Sequence, residues 1–203
     1  MNSFQTCFCG STLSFESCCQ PLINRNKLAQ TPEQLMRSRF SAYATKAYQY
    51  VFDTYAKQSQ SELSVTQIQS SDESSHWFAL LIYPNTDHSS NMANAYDKEQ
   101  EQFVEFSAFY IADNSVIEMR EKSRFILETV DEAINDNTSS SKSSNTRNNK
   151  QWRYIDGDII SHCQLEKVTR NQICPCNSYS TAWTSSSKNK KAKKYKHCCG
   201  NKG

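Results

Sequence analysis

Gln102–Val130 reads QFVEFSAFYIADNSVIEMREKSRFILETV, and the period of this stretch decides the fold. Apolar and polar residues alternate over most of it, and aromatic and branched side chains dominate, as in half-buried antiparallel strands. Val104, Phe106, Ala108 and Tyr110 share one face. In Ser115–Val130, Ile117, Met119, Glu121, Ser123, Phe125 and Leu127 share a face, opposite Val116, Glu118, Arg120, Lys122 and Arg124. Two runs of the same character extend the sheet: WFALLIY at Trp77–Tyr83 and QWRYIDGDII at Gln151–Ile160, where Asp156-Gly157 reads as a turn signal.

Upstream of the strands the period is helical. In TPEQLMRSRFSAYATKAYQYVFDTY, Thr31 is placed as an N-cap, Pro32 at the first helical position and Gln34 as the partner in a capping box. Met36, Phe40, Tyr43, Ala47, Val51 and Tyr55 recur at steps of three or four, which predicts two helices with a bend near Thr45. A third, weaker helix is expected near Glu62–Gln69. Helices first and a meandering sheet afterwards give an α+β class. Four glycines and no G-x-G-x-x-G or Walker sequence exclude the common dinucleotide and P-loop folds. Two stretches interrupt the sheet, Pro84–Gln100 and Asp131–Lys150, the second a low-complexity segment expected to form a mobile surface loop.

The 203 residues suit one ordinary domain with appendages. Mean hydropathy is -0.75, so the core is modest, but 10 Phe, 10 Tyr and 3 Trp give it large faces to bury. The longest apolar run, Trp77–Tyr83, is far short of the roughly 20 residues that span a bilayer, so membrane insertion is not expected. The N-terminus shows no secretory pattern, and the cytoplasm is the expected compartment. Charge is divided unevenly. From Gln164 onward nine Lys or Arg stand against one acid (+8), and the rest of the chain carries fourteen against twenty (-6). A basic appendage on an acidic body fits an anionic partner, although short lysine runs are often only solvated surface.

Eight of the nine cysteines form two copies of one pattern, C-x-C followed by an adjacent pair: Cys7, Cys9, Cys18 and Cys19, then Cys174, Cys176, Cys198 and Cys199. The intervals are 8 and 21 residues, so the second copy carries 13 more. A C-x-C turn presents two thiolates to one ion and the returning pair completes a tetrahedron, which suits two structural zinc ions. Disulfides are the competing reading; the absence of a secretory signal and the strain of a bond between neighbouring cysteines weigh against them. His197 competes with Cys199 as a ligand, and the match to the first copy favours the cysteine. The ninth, Cys163, reads as a small buried hydrophobe rather than a reactive thiol. Structural zinc contributes on the order of 10 kcal/mol to modules too short to fold alone. With that help at each end, the body from about Thr31 to Gln164 is expected to fold without either module.

The pattern CPC…KKYKHCCG resembles the SEC-C motif, the zinc knuckle at the C-terminus of the SecA translocation ATPase and in other bacterial proteins; CFCGSTLSFESCC keeps its spacing. That resemblance implies the eight cysteines named above as ligands. Asn177 stands where the motif usually has glycine. Together with LMRSRFSAY, EMREKSRF and WRYIDGD, the chain resembles the YchJ family over nearly its whole length. The resemblance implies a cone-shaped central domain like nuclear transport factor two. The expected division is a knuckle at 1–24, the central domain at 25–165 with its loop near 131–150, and a second knuckle with a basic tail at 166–203.

For function, two classes stand. One is a zinc-binding adaptor that contacts a protein or ribonucleoprotein partner, such as ribosome or translocation components, through its knuckles. The other is a small-molecule-binding protein or enzyme that uses the cone's cavity. Arg37, Arg39, His76, Glu105, Arg120, Arg124 and Asp156 are candidates to line such a pocket. Solvated strand faces and ion pairs are the weightier reading of them, because no nucleophile, base and orienting partner stand at a recognisable spacing. No catalytic residue is assigned and enzymatic activity is not the favoured expectation. For partner contact, Lys188, Lys190, Lys191, Lys193, Lys194 and Lys196 supply sequence-independent attraction to phosphate, including nonspecific RNA contact, with Tyr195 and Trp183 offered for stacking.

Overall fold

The computed structural model describes residues 6–84, 101–130, 150–176 and 192–201. The expected loop near 131–150, the Pro84–Gln100 stretch beyond Pro84, Asn177, Trp183, Lys188, Lys190 and Lys191 lie outside the described residues, apart from the loop's last residue, Lys150.

Thr31 caps α2 (Pro32–Ala44) by accepting the Gln34 amide at 3.1 Å. The other arm of the box is displaced: Gln34 Oε1 accepts the amide of Gln30, one residue before the cap. This helix is preceded by one turn, α1 (Gln20–Ile23), and followed by α3 (Tyr48–Asp53), α4 (Lys57–Gln60) and α5 (Val65–Asp72). The expected bend is a complete break, in which Lys46 adopts φ 61. Its ammonium then reaches the buried Asp72 carboxylate at 2.8 Å. The weak third helix begins three residues later than expected, where Ser64 caps it by accepting the Gln67 amide.

The sheet runs β1 (His76–Ile82), β2 (Glu101–Ala112), β3 (Ser115–Thr129) and β4 (Lys150–Lys167), antiparallel throughout and in sequence order. Asp113 and Asn114, both at positive φ, close the β2–β3 hairpin in two residues. Asp and Asn tolerate that geometry, which matches the strands' twist. Asp156-Gly157 is not a turn. Both residues sit inside β4, opposite Arg124 and Ser123. Glycine serves there for a different reason: a Cβ on Gly157 would lie 2.1 Å from the Glu121 carboxylate, so that buried side chain would have to shift to admit one. Against β3, β4 carries three bulges, at Ile155, Ile160 and Leu165, and these curve the sheet into a cone.

The inner face of that curve holds the main core. Val104, Phe106, Ala108 and Phe125 pack with Leu80 and with Leu35, Met36 and Phe40 of α2. A second cluster joins α2, α3 and α5 through Ala42, Tyr50, Val51 and Ile68. Because α2 lies between the two, it is buried beyond one stripe, with Ser38, Arg39 and Ser41 enclosed as well. A third, smaller cluster lies on the outer face around Ile111 and Val116.

Candidate metal centres

Each four-cysteine set is built the same way. The residue before the first cysteine bridges to the residue that caps a one-turn helix, Thr6 to Ser14 and Ile173 to Lys194. The one-turn helices are Phe15–Ser17 and Tyr195–His197, each led by an aromatic residue and each delivering the adjacent cysteine pair. Cys7 N donates to Leu13 O and Cys174 N to Lys193 O, both at 2.9 Å. The 13 additional residues of the second copy therefore fall between the C-x-C turn and this bridge, and leave the frame intact. In the first copy Gly10, at φ 83, completes the C-x-C turn.

Within each set the four sulfurs lie within 4.8 Å of one another. The individual separations are 3.7 Å for Cys9–Cys18, 3.8 Å for Cys18–Cys19, 3.4 Å for Cys174–Cys176 and for Cys176–Cys198, and 4.0 Å for Cys198–Cys199. A tetrahedral ion with bonds near 2.3 Å places its sulfurs about 3.8 Å apart, so both donor sets fit one. His197 is exposed, and the fourth sulfur of the set is Cys199.

Electrostatics point the same way. The Cys19 and Cys7 thiols both support the Cys9 sulfur as a thiolate and push its pKa down to about 2. Cys19 is raised, chiefly by its bonds to Cys7 and Cys9 and then by burial. Cys174 is likewise pushed down to about 2 by Cys176 and Cys199, while Cys199 is pushed up to about 12, first through its bond to Cys174. Each set thus contains one sulfur that neighbouring thiols favour as a thiolate, the form in which cysteine binds a divalent cation.

The two sets differ in where they sit. Cys7, Cys9 and Cys19 are buried members of the main core, at 4%, 0% and 2% exposure, so the first knuckle is not an appendage. Helix α2 supports it from outside the donor set. Arg37 Nη1 donates to the Cys9 carbonyl at 2.8 Å while its Nε holds Glu33, and one turn on Ser41 Oγ stands 3.6 Å from the Cys7 sulfur. Ser11 donates to Cys18. The second knuckle lies on the outer face, at the β2–β3 turn. There Val168 N donates to the Asn114 carbonyl at 2.7 Å and the Tyr195 hydroxyl donates to Asn114 Oδ1 at 3.0 Å. Only Cys174 of its four cysteines is buried.

The candidate pocket residues do not converge. Arg37 braces the first knuckle. Arg39 is 4% exposed inside the cone, donating to Val51 O and Thr54 Oγ1 with its guanidinium between the rings of Tyr55 and Tyr154, 4.4 and 4.5 Å from their centroids. Tyr154 also donates to the buried Glu121. Glu105 pairs with Arg120 on the outer face, where Arg120 also covers Tyr83. Arg124 holds Asp156 through two bonds, 2.9 and 2.5 Å, and His76 is exposed at the start of β1. Arg37 and Glu105 line a common groove. Two further expectations need correction. Tyr195 is 7% exposed and packs on Val168, so it anchors the knuckle and is not free to stack. Cys163 is exposed on β4, on the outer face opposite Glu118, because the helices do not reach that side. Among the described residues, Lys193 and Lys194 are exposed and Lys196 is half-buried.

No helix among the described residues is long and apolar enough to cross a membrane. In comparison with known proteins, residues 31–157 match the family described as "YchJ, middle NTF2-like domain". A UPF0225 protein of Vibrio cholerae is 33% identical over 195 residues, covering 96% of this chain and 99% of its own. One from Photorhabdus laumondii is 30% identical over 198 residues, covering 97% and 99%. The fold is similar to the crystal structure of a SEC-C motif containing protein from Psychrobacter arcticus, with TM-score 0.58, 24% identity and coverage of 99% and 98%. It is also similar to the solution structure of a SEC-C motif containing protein from Rhodopseudomonas palustris, with TM-score 0.56, 23% identity and coverage of 77% and 100%.

Proposed function

The chain belongs to the YchJ family, and on that premise we propose that it is a zinc-binding adaptor holding two structural zinc ions, one in each four-cysteine set. Four thiolates suit zinc among the common divalent ions, and a closed set of four leaves no position for substrate. The ligands are Cys7, Cys9, Cys18 and Cys19 for one ion, and Cys174, Cys176, Cys198 and Cys199 for the other. The partner is a phosphate-rich or acidic surface of protein or ribonucleoprotein, reached by the second knuckle.

One observation carries this reading: the second knuckle is held on the outer face by a turn and a small apolar cluster, with Lys193 and Lys194 directed to solvent. The cone's interior supports the adaptor over an enzyme, since Tyr55, Tyr154 and Phe125 fill the space around Arg39. The test has two parts. Metal analysis of the reduced protein is expected to give two zinc ions per chain; reproducible absence of zinc, or four disulfides by mass, overturns the reading. Replacing Lys188, Lys190, Lys191, Lys193, Lys194 and Lys196 with Gln is expected to weaken binding to purified ribosomes and to flatten its salt dependence. Unchanged affinity and slope remove this tail as the contact.

A further inference from the structure

A cleft of about 380 Å³ opens between the segment that follows the first knuckle and the end of the body formed by α3 and β4. Leu22, Leu28, Leu35 and Trp152 give it apolar walls. Its charged lining is unbalanced: Arg25, Lys27 and Arg153 face one acid, Asp53. That acid is already engaged, by Arg25 and by Gln49 Nε2 at 2.9 Å.

Arg153 is the unusual member. Its side chain is 16% exposed, yet its hydrogen bonds go to neutral acceptors, the Asp53 carbonyl at 2.8 Å and Gln151 Oε1 at 3.0 Å. Glu128, itself 18% exposed, is its ion-pair partner at 3.9 Å from Nε, longer than a hydrogen bond, so the pair leaves the guanidinium without a charged hydrogen-bond acceptor. Burial lowers its pKa; Glu128 opposes this by raising it, and the neighbouring Arg25 adds only a smaller lowering, so burial outweighs the support its own carboxylate partner gives the cation. A guanidinium in that position offers its remaining N–H groups to an anion that is not part of the chain.

We propose that this cleft binds a small organic oxyanion, a carboxylate or a phosphate monoester, with the charged group at Arg153 and Lys27 and an apolar body against Trp152 and the leucines. The cleft's volume lies in the range of small-molecule sites, and its pairing of apolar walls with a few convergent polar groups is how such sites set orientation. The inference is separate from the adaptor reading, because the charged residues belong to neither cysteine set.

Titration calorimetry on the full-length, metal-loaded protein tests it with 2-naphthoate, 2-naphthyl phosphate and the neutral 2-naphthamide. At least one oxyanion is expected to bind saturably, one per chain, about tenfold more tightly than the amide; the tighter of the two identifies the class. Arg153→Met is expected to reduce it to the level of the amide. Lys27→Gln, on the exposed rim where folding is not at stake, is expected to weaken it about threefold. The proposal is overturned if neither oxyanion saturates, if the amide binds equally well, or if Lys27→Gln and Arg153→Met both bind as the native chain does. Should Arg153→Met fail to fold, an unchanged affinity in Lys27→Gln overturns it alone.

Discussion

The two cysteine modules share one local frame and occupy opposite sides of one sheet. The first is wedged between α2 and the inner face, with three cysteines in the main core and a helix supplying Arg37 and Ser41 behind it. The second rests on the outer face at the β2–β3 turn, where its one buried cysteine, Cys174, joins Val168 and Tyr195 against Ile111 and Val116 of the sheet. The same motif thus acts as a core element at one end of the chain and as a presented surface at the other. What differs is the apolar area that each module covers, since burial scales the cost of losing it.

The largest expected effect separates them outright. Cys9→Ser is expected to cost on the order of 5 kcal/mol and to remove cooperative thermal unfolding, because metal loss there opens the main core. Cys176→Ser is expected to leave the main transition in place and to raise amide exchange only around 168–176 and 192–201. Equal losses in the two variants would erase the distinction. So would independent folding of the body alone, the outcome that the sequence suggests and that the burial of Cys7, Cys9 and Cys19 opposes.

Graded chelation sharpens the same contrast. The second module is expected to release its ion first, with total zinc passing through a plateau near one per chain while near-ultraviolet dichroism of the core is retained. Simultaneous release would mean that burial does not set the order. Smaller effects follow from the outer contacts. Arg37→Met is expected to weaken metal retention at the first site by about tenfold, measured by competition with a chromophoric chelator, through loss of the Cys9 carbonyl contact. Tyr195→Phe, which deletes one hydrogen bond to Asn114, is expected to cost about 1 kcal/mol locally and to leave the first site untouched.

Much of this architecture is legible in the chain. Alternation in Gln102–Val130 assigns the strands and their faces, and the Thr31 cap and the spacing after it assign α2 and α3. The repeated C-x-C and adjacent pair mark the eight sulfurs that come together as two sets; in the first the short spacing keeps them close, and in the second, where 21 residues intervene, the Ile173–Lys194 bridge closes the set. Apart from that bridge, such features depend on neighbours a few residues away. The Asp113-Asn114 turn, with both residues at positive φ, is set by those two residues themselves; Asp156-Gly157 reads as a turn and is strand, where the space a Cβ would take is occupied by Glu121 on the adjacent strand. Arg39 and Arg37, two residues apart in MRSRF, look alike in sequence, but helix geometry turns one into the cone between two tyrosines and the other toward the first knuckle. The cleft at Arg153 joins segments more than a hundred residues apart, and the side of the sheet that each module covers follows from how α2 and the β2–β3 turn pack. The cysteine pattern determined which atoms meet within each module; only long-range packing, which no short window of sequence contains, decided that one module lies in the core and the other faces outward.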